Sequence, residues 1–408
     1  MVVKEKFHID VVKFEVDGIS MIGNNRTGAL IGLNEDGKKF VEKIYDLNEV
    51  EVPKGLEQLY EALKIGNFFD DMEKDNNRII SAYLHVTDNC NLHCIGCYSY
   101  VEERNKKKDL AYEDICYELD ELAANGVKII VISGGEPFIR KDIALICEYA
   151  KNLGMVVQII TNGTMPHERY LKTLPYIDAI SVSVDGYNED VYFIRDKGIM
   201  PKVLDTIRFL KENNAKVNLI FTLHRKNAPY MEEYVKMAEG MGVTFNFSML
   251  TASPYDRVFA DYTLRKEELE MVENFLRNNK VKITDSAMEG ESLSCKSRCG
   301  AGKLLVSVAA DGTVYPCHML HVDDLKLGNI MEKKLKSTIF NKDNPFLDLD
   351  IKQVEGCEDC KYGNFCGGGC RARSYLATGS IYAKADICDV SYNTLDNKFN
   401  NLKKAYGL

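Results

Sequence analysis

From Ala82 to about Leu250, short β-rich apolar runs alternate with longer stretches in which apolar residues recur at helical spacing. This alternation predicts a parallel array of βα units. Six strands are expected: Tyr83 to Thr87, Lys128 to Ser133, Val156 to Thr161, Ala179 to Val184, Val217 to Leu223 and Thr244 to Ser248. The helices between them carry core stripes such as Tyr112, Ile115, Cys116, Leu119, Leu122 and Ala123, or Ile143, Ile146, Cys147 and Ala150. Cys116 and Cys147 therefore read as small buried apolar residues. Strand-crossover-strand connections are right-handed, so six such units curl into an open partial (β/α)6 barrel of the α/β class. Its functional loops lie at the carboxyl ends of the strands.

Ahead of the array, residues 1–78 predict a small α+β unit. Gly18 to Gly23 and Ala29 to Leu33 read as short strands joined at Asn24-Asn25. Asn34 caps a helix with the stripe Phe40, Val41, Ile44 and Tyr45, and after Pro53 a second helix buries Leu56, Leu59, Tyr60 and Leu63. Past residue 285 periodicity fades and glycine and cysteine dominate. That is expected where bound clusters replace a hydrophobic core as the organising element. The expected domains are 1–78, 79–285 and 286–408.

No apolar run approaches a membrane span, and the start Met1-Val2-Val3-Lys4-Glu5-Lys6 mixes charges where a signal peptide would be apolar. The expected location is cytoplasmic, with no membrane partner. In that reducing compartment, the clustered cysteines among the 13 of the chain read as metal ligands rather than as a disulfide framework. A net charge of -9 argues against a nucleic-acid surface. The run Lys106-Lys107-Lys108 reads as a solvated connection, or as a contact for an acidic peptide or redox partner.

Eleven of the cysteines fall into two spacing patterns. The first is the loop Cys90-x3-Cys94-x2-Cys97, directly after the first strand. Three closely spaced thiolates on a [4Fe-4S] cubane leave one iron without a protein ligand. A structural zinc site with His93 as fourth ligand is the competing reading. The order of the following motifs favours the cluster. Ser133-Gly134-Gly135-Glu136-Pro137 follows the second strand, Thr161-Asn162-Gly163 the third and Ser183-Val184-Asp185-Gly186 the fourth. Glycines there let backbone approach a ligand, and Glu136 can pair with an ammonium group.

In this order the loop and motifs resemble the signature of radical S-adenosylmethionine (SAM) enzymes. The resemblance implies that the open iron chelates the amino and carboxylate groups of SAM. It also implies that Gly134, Gly135 and Glu136 hold the amino group, while Asn162, Ser183 and Arg195 serve the ribose and carboxylate. An electron from the reduced cluster, fed by a low-potential donor such as ferredoxin or flavodoxin, would yield methionine and a 5′-deoxyadenosyl radical. That radical would abstract hydrogen from an unactivated C-H bond. The residue before the third cysteine is usually aromatic in the family; here it is Gly96, which with Tyr98 is the expected adenine contact.

The second pattern is Cys299-x12-Gly312-x4-Cys317, then Cys357-x2-Cys360-x5-Cys366-x3-Cys370, then Cys388, with Cys295 just upstream. It resembles the SPASM extension of radical SAM enzymes. The resemblance implies two fully coordinated auxiliary clusters, one on Cys295, Cys299, Cys317 and Cys370 and one on Cys357, Cys360, Cys366 and Cys388, hence three [4Fe-4S] clusters in all. Without Cys295, the nearer auxiliary cluster would be open to a substrate thiolate. Gly367-Gly368-Gly369 supplies a tight backbone, and Asp311-Gly312-Thr313 reads as a hairpin turn. Sulfatase-maturing members carry an aspartate base after the hairpin cysteine; His318 stands there in this chain and is the candidate base.

The amino-terminal unit resembles the domain that recognises precursor peptides in maturases of ribosomally made peptides, although residues 48–53 are too few for the usual extra helix. Such a domain adds a leader segment as a strand to a sheet edge. The expected function is therefore a radical SAM/SPASM maturase that installs a thioether or carbon-carbon crosslink in a precursor peptide. The alternatives are oxidative maturation of a protein partner, small-molecule radical chemistry, and an iron-sulfur electron carrier or scaffold.

Overall fold

Six parallel strands, Ser81–His85, Ile129–Ser133, Val156–Thr161, Ala179–Val184, Val217–Leu223 and Thr244–Met249, lie side by side in chain order. In Val217–Leu223 every second residue is buried, as a strand with one face on helices and one on the barrel interior requires. Leu84, Ile132, Ile159, Val182 and Leu219 share one core with Ile115, Leu119, Ile146 and Ile207 of the covering helices. Cys147 lies fully inside this core and burial pushes its thiol pKa up; Cys116 is half-buried on its helix. The computed structural model describes residues 2–47, 49–69, 79–102, 104–188, 191, 194–251, 261–278, 293–296 and 298–406. The expected domain boundaries after 78 and 285 fall outside the described residues.

The first strand ends two residues before the expected Thr87. The reason is an irregular ladder beyond His85: Val86 N donates to Ser133 O (3.1 Å), Gly135 N to Thr87 O (2.7 Å) and Glu136 N to Asn89 O (2.8 Å). Outside the barrel, Leu305–Val308 adds parallel to the free edge of Ser81–His85, with Ser307 opposite Tyr83. It then turns through Gly312 (φ +82°) into Thr313–Tyr315, which pairs with Gly328–Asn329, making a nine-stranded sheet. Among the described residues no helix is long and apolar enough to cross a membrane.

The amino-terminal strands Val11–Val16, Ile19–Asn24 and Leu30–Leu33 form an antiparallel sheet. The helix Glu35–Leu47 follows, its first turn capped by Asn34, whose Oδ1 accepts from Gly37 N at 2.8 Å. Phe40, Val41 and Ile44 meet Tyr60 and Leu63 of the helix Glu57–Ile65 in a separate small core. The short segment after the first helix holds the strand Glu49–Glu51, paired antiparallel with Val2–Lys4. Val16 and Met21 of the unit pack against Tyr362, Phe365, Leu395 and Phe399, so this sheet docks on the cysteine-rich region.

Candidate active site

Cys90, Cys94 and Cys97 line one cavity together with Ser133, Asn162 and Ser183 from three successive strand ends. Each sulfur meets a side-chain donor: Asn162 Nδ2 at 3.9 Å from Cys90, Arg195 Nη1 at 3.8 Å from Cys94 and Arg104 Nη2 at 3.3 Å from Cys97. Burial raises the pKa of Cys90 and Cys94. Burial also acts upward at Cys97, but the Arg104 charge and hydrogen bonds with Ser99 and Arg104 outweigh it and the net shift is down. Arg104 belongs to no motif and was not identified from the sequence. The nearby Asn105 brackets the first cysteine, accepting from Cys90 N and donating to Cys90 O, both at 2.9 Å.

The loop is clamped from across the barrel. Ile95 N donates to Ile194 O (2.7 Å) and His93 N to Asp196 Oδ1 (3.0 Å). The His93 ring is exposed and faces Asp196 rather than the cavity, which removes the fourth ligand of the zinc reading. Gly96 sits at φ +73°, a left-handed conformation that disfavours the aromatic residue usual there. Gly96, Tyr98 and Arg195 all line the cavity.

Two motif readings change. Gly134 and Gly135 line the cavity, yet their lack of side chains serves first the approach of two backbones: a Cβ at Gly134 would fall 2.2 Å from Thr87 O, and one at Gly135 2.1 Å from Asn89 O. Glu136 is fully buried beneath the cavity, not on its wall. Its Oε1 accepts from Phe138 N (3.1 Å) and Thr161 Oγ1 (2.9 Å), and its Oε2 from Asn162 N (2.7 Å). Through the bond to Asn162 N, Glu136 sets the position of Asn162. Burial raises Glu136 to about 7 against these hydrogen bonds. Asp185 is likewise internal, accepting from Ile194 N at 2.7 Å and lying 3.4 Å from His224 Nε2.

In the carboxy-terminal region Cys299, Cys317 and Cys370 pack on one apolar cluster with Leu320, Phe346 and Ala372. Cys357, Cys360, Cys366 and Cys388 form a second group. Burial, then Cys388 and Cys360, raise Cys357; Cys366 is pushed up to about 11, chiefly by burial, with Cys388, Cys357 and Cys360 adding to it. Cys295, expected with the first group, also contacts the amino-terminal unit. Its thiol donates to Asn25 Oδ1 at 3.1 Å, its N-H reaches Gly28 O at 2.9 Å, and a Cβ at Gly23 would fall 2.3 Å from its sulfur. Burial pushes this thiol up to about 12.

Residues 84–238 match the Radical SAM superfamily, and residues 299–361 match the iron-sulfur cluster-binding SPASM domain. The chain is a radical SAM enzyme. Its SPASM domain follows the barrel, and the two domains imply SAM and iron-sulfur clusters as cofactors. It is 27% identical to an AdoMet-dependent heme synthase of Methanosarcina barkeri over 74% of this chain and 94% of that one. It is 26% identical to the mycofactocin maturase MftC of Mycolicibacterium smegmatis over 71% of this chain and 78% of that one. Among solved structures, anSMEcpe with bound AdoMet aligns with TM-score 0.65 and 20% identity, covering 80% of this chain and 98% of that one. Streptococcus suis SuiB bound to precursor peptide SuiA aligns with TM-score 0.60 and 16% identity, covering 94% and 99%. At those identities the structural likeness shows the radical SAM/SPASM fold.

The radical SAM cavity opens through Tyr98, 39% exposed, whose Oη lies 2.5 Å from Ser133 Oγ. Beyond it stands a cluster of packed histidine and tyrosine rings contributed by both the barrel and the carboxy-terminal region. His318 stacks on Tyr83 (3.9 Å) and meets the edge of Tyr98 (5.5 Å), while His321 stacks on Tyr315 (4.4 Å) with its Nε2 2.8 Å from Ser307 Oγ. His85, at the end of the first barrel strand, lies 4.5 Å from the His321 ring, and its buried Nε2 has no hydrogen-bond partner among the described residues. Burial, with His321 adding, pushes His318 down to about 3. Burial thus favours the uncharged ring of His318 at neutral pH. Nothing in the sequence around His85 marks it, because the ring cluster assembles only when Leu305–Val308 joins the barrel edge.

Proposed function

We propose that this chain modifies a precursor peptide, installing a thioether or carbon-carbon crosslink during maturation of a ribosomally made peptide. The observation that carries the reading is the sulfur-lined cavity opening at Tyr98, whose ring meets the histidine-tyrosine cluster, in a chain whose amino-terminal sheet docks on the cysteine-rich region. A [4Fe-4S] cluster on Cys90, Cys94 and Cys97 would leave one iron for SAM and supply the electron that converts it to methionine and a 5′-deoxyadenosyl radical. The donors on each sulfur and the small-residue wall fit that anionic group and its ligand. Gly96, Tyr98, Ser133, Gly134, Gly135, Asn162, Ser183 and Arg195 hold SAM, and Glu136 holds Asn162. Arg195 serves the SAM carboxylate.

The clustered rings exclude water and present the substrate C-H bond. Formation of one crosslink removes two hydrogens: one leaves as an atom in 5′-deoxyadenosine, the other as a proton, and one electron passes to the auxiliary region. Cys299, Cys317 and Cys370 would hold one auxiliary cluster and Cys357, Cys360, Cys366 and Cys388 a second, which would supply the electron acceptors and give three clusters with the SAM site. The edge strand Leu30–Leu33 and the groove lined by Phe14, Met21, Leu33 and Val41 between sheet and helix suit a leader segment added as a further strand. A low-potential donor such as ferredoxin or flavodoxin reduces the SAM cluster. Two of the likenesses above also support peptide chemistry: the MftC relative is a maturase, and SuiB was solved with a precursor peptide.

The test is anaerobic reconstitution with SAM, dithionite and the short peptide encoded beside this gene. The expected result is 5′-deoxyadenosine together with a peptide lighter by a pair of hydrogen atoms per crosslink. Release of 5′-deoxyadenosine with an unchanged peptide would redirect the reading to a protein partner or a small molecule. No 5′-deoxyadenosine at all would favour the electron carrier.

A further inference from the structure

Arg371 and Arg373 stand two residues apart and both are buried, but only one has a counter-charge. Arg373 makes a two-point pair with Asp386, Nε to Oδ1 at 2.8 Å and Nη2 to Oδ2 at 2.5 Å. Arg371, fully buried, donates only to backbone carbonyls: Nη1 to Ile381 O (2.8 Å) and Ala383 O (3.0 Å), Nε to Gly369 O (3.4 Å), and Nη2 to Gly368 O. No carboxylate pairs with it among the described residues. A guanidinium does not shed its proton, and a buried charge met only by neutral dipoles is strongly unfavourable unless negative charge lies close by.

The nearby groups that can carry negative charge are cysteine sulfurs from both auxiliary sets. Arg371 interacts electrostatically with Cys299 and Cys370 of the first set and with Cys357 and Cys366 of the second, and its charge also bears on Cys388. The backbone pins it at the point where the chain passes from one set to the other. Gly367, Gly368 and Gly369 run at φ +65°, +80° and +77° between Cys366 and Cys370, and two of their carbonyls accept from the guanidinium. A cubane held by three or four thiolates is net negative, and taking up an electron makes it more so.

We propose that Arg371 is a counter-charge shared by the two auxiliary clusters and raises the reduction potential of both. This rests on the two-cluster reading above. A fixed cation stabilises the form with the extra electron, so each cluster becomes a better acceptor for the electron that the substrate radical gives up. One residue thereby poises both.

The test is a potentiometric titration of the reconstituted full-length enzyme, followed by electron paramagnetic resonance, in wild type, Arg371→Lys and Arg371→Gln. Both auxiliary midpoints are expected to fall in R371Q by about tenfold in the reduction equilibrium, about 59 mV for one electron, while the SAM cluster moves far less and R371K stays near wild type. Wild-type enzyme with fewer than two auxiliary signals would overturn the two-cluster reading and the shared role with it. Two auxiliary clusters with unmoved potentials in R371Q would overturn the role of Arg371 alone. Should R371Q fail to load its clusters, Arg371→His decides: its auxiliary potentials should drop with rising pH by more than those of wild type, and an equal pH response would overturn the proposal.

Discussion

At the barrel mouth each cysteine sulfur meets a donor from a different element, whereas in the carboxy-terminal region seven cysteines divide into two groups that share one buried guanidinium. The contrast follows from what each region leaves open. The loop Cys90 to Cys97 faces a cavity, so its geometry is held from outside by Asn162, Arg195, Arg104 and the Ile194–Asp196 clamp. The second region is closed. It is wrapped in apolar side chains, and helices begin at Arg371 and Cys388. An open site needs partners from many elements; a closed one is shaped by packing.

Replacing one ligand of the open region should separate the two most sharply. Cys94→Ala is expected to cut 5′-deoxyadenosine formation by at least about a thousandfold and to lower iron by about four per chain, leaving the auxiliary signals in place. Chromatography of the nucleoside and an iron assay read this out, and loss of the auxiliary signals as well would erase the distinction. His85→Phe tests the ring cluster between the regions. If the unpartnered His85 Nε2 bonds the bound peptide, cleavage of SAM should persist while peptide product per 5′-deoxyadenosine drops about tenfold, the effect of one lost hydrogen bond. Equal coupling in the variant would make His85 a packing residue.

Cys295→Ser asks where the closed region ends. The iron content should not change, and the midpoint of chemical unfolding should report a loss on the order of 1 kcal/mol from the docked amino-terminal unit. A loss of about four irons would return Cys295 to the ligand set. The smallest effect belongs to Glu118, which lies under the hairpin joint with both carboxylate oxygens buried and unpartnered among the described residues. Burial, then Asp114 and Asp311, raise it to about 8. A raised carboxyl pKa contributes stability in full below its unfolded value near 4.5 and loses it as pH rises through about 8. Glu118→Gln should therefore gain on wild type across that interval, reaching on the order of 1 kcal/mol above pH 8. Thermal melts at pH 5 and pH 8.5 check the slope, and equal shifts at both would show that its ionisation does not matter.

Local pattern made much of this legible. The strands Val156–Thr161, Ala179–Val184 and Val217–Leu223 lie where alternation and flanking turns put them. The cysteine loop, Asn162, Ser183 and Arg195 meet in one cavity because strand ends of a parallel barrel share one rim. What pattern did not reveal depends on distant pairing. The first strand stops early because Thr87 and Asn89 bond to the glycine turn. Glu136 turns inward because Asn162 N lies within its reach. Cys295 reaches Asn25 because Gly23 leaves room for its sulfur. Arg104, His85 and Arg371 carry no motif; their roles come from what tertiary contacts bring beside them.

The parallel seam between Ser81–His85 and Leu305–Val308 has a consequence for electron traffic. The strand that launches the sulfur loop and the strand that launches the hairpin toward Cys317 are rungs of one backbone ladder, so the spacing between the redox centres they carry is set by covalent geometry and amide pairing. The separation of the two cysteine regions is then built in at folding along this seam.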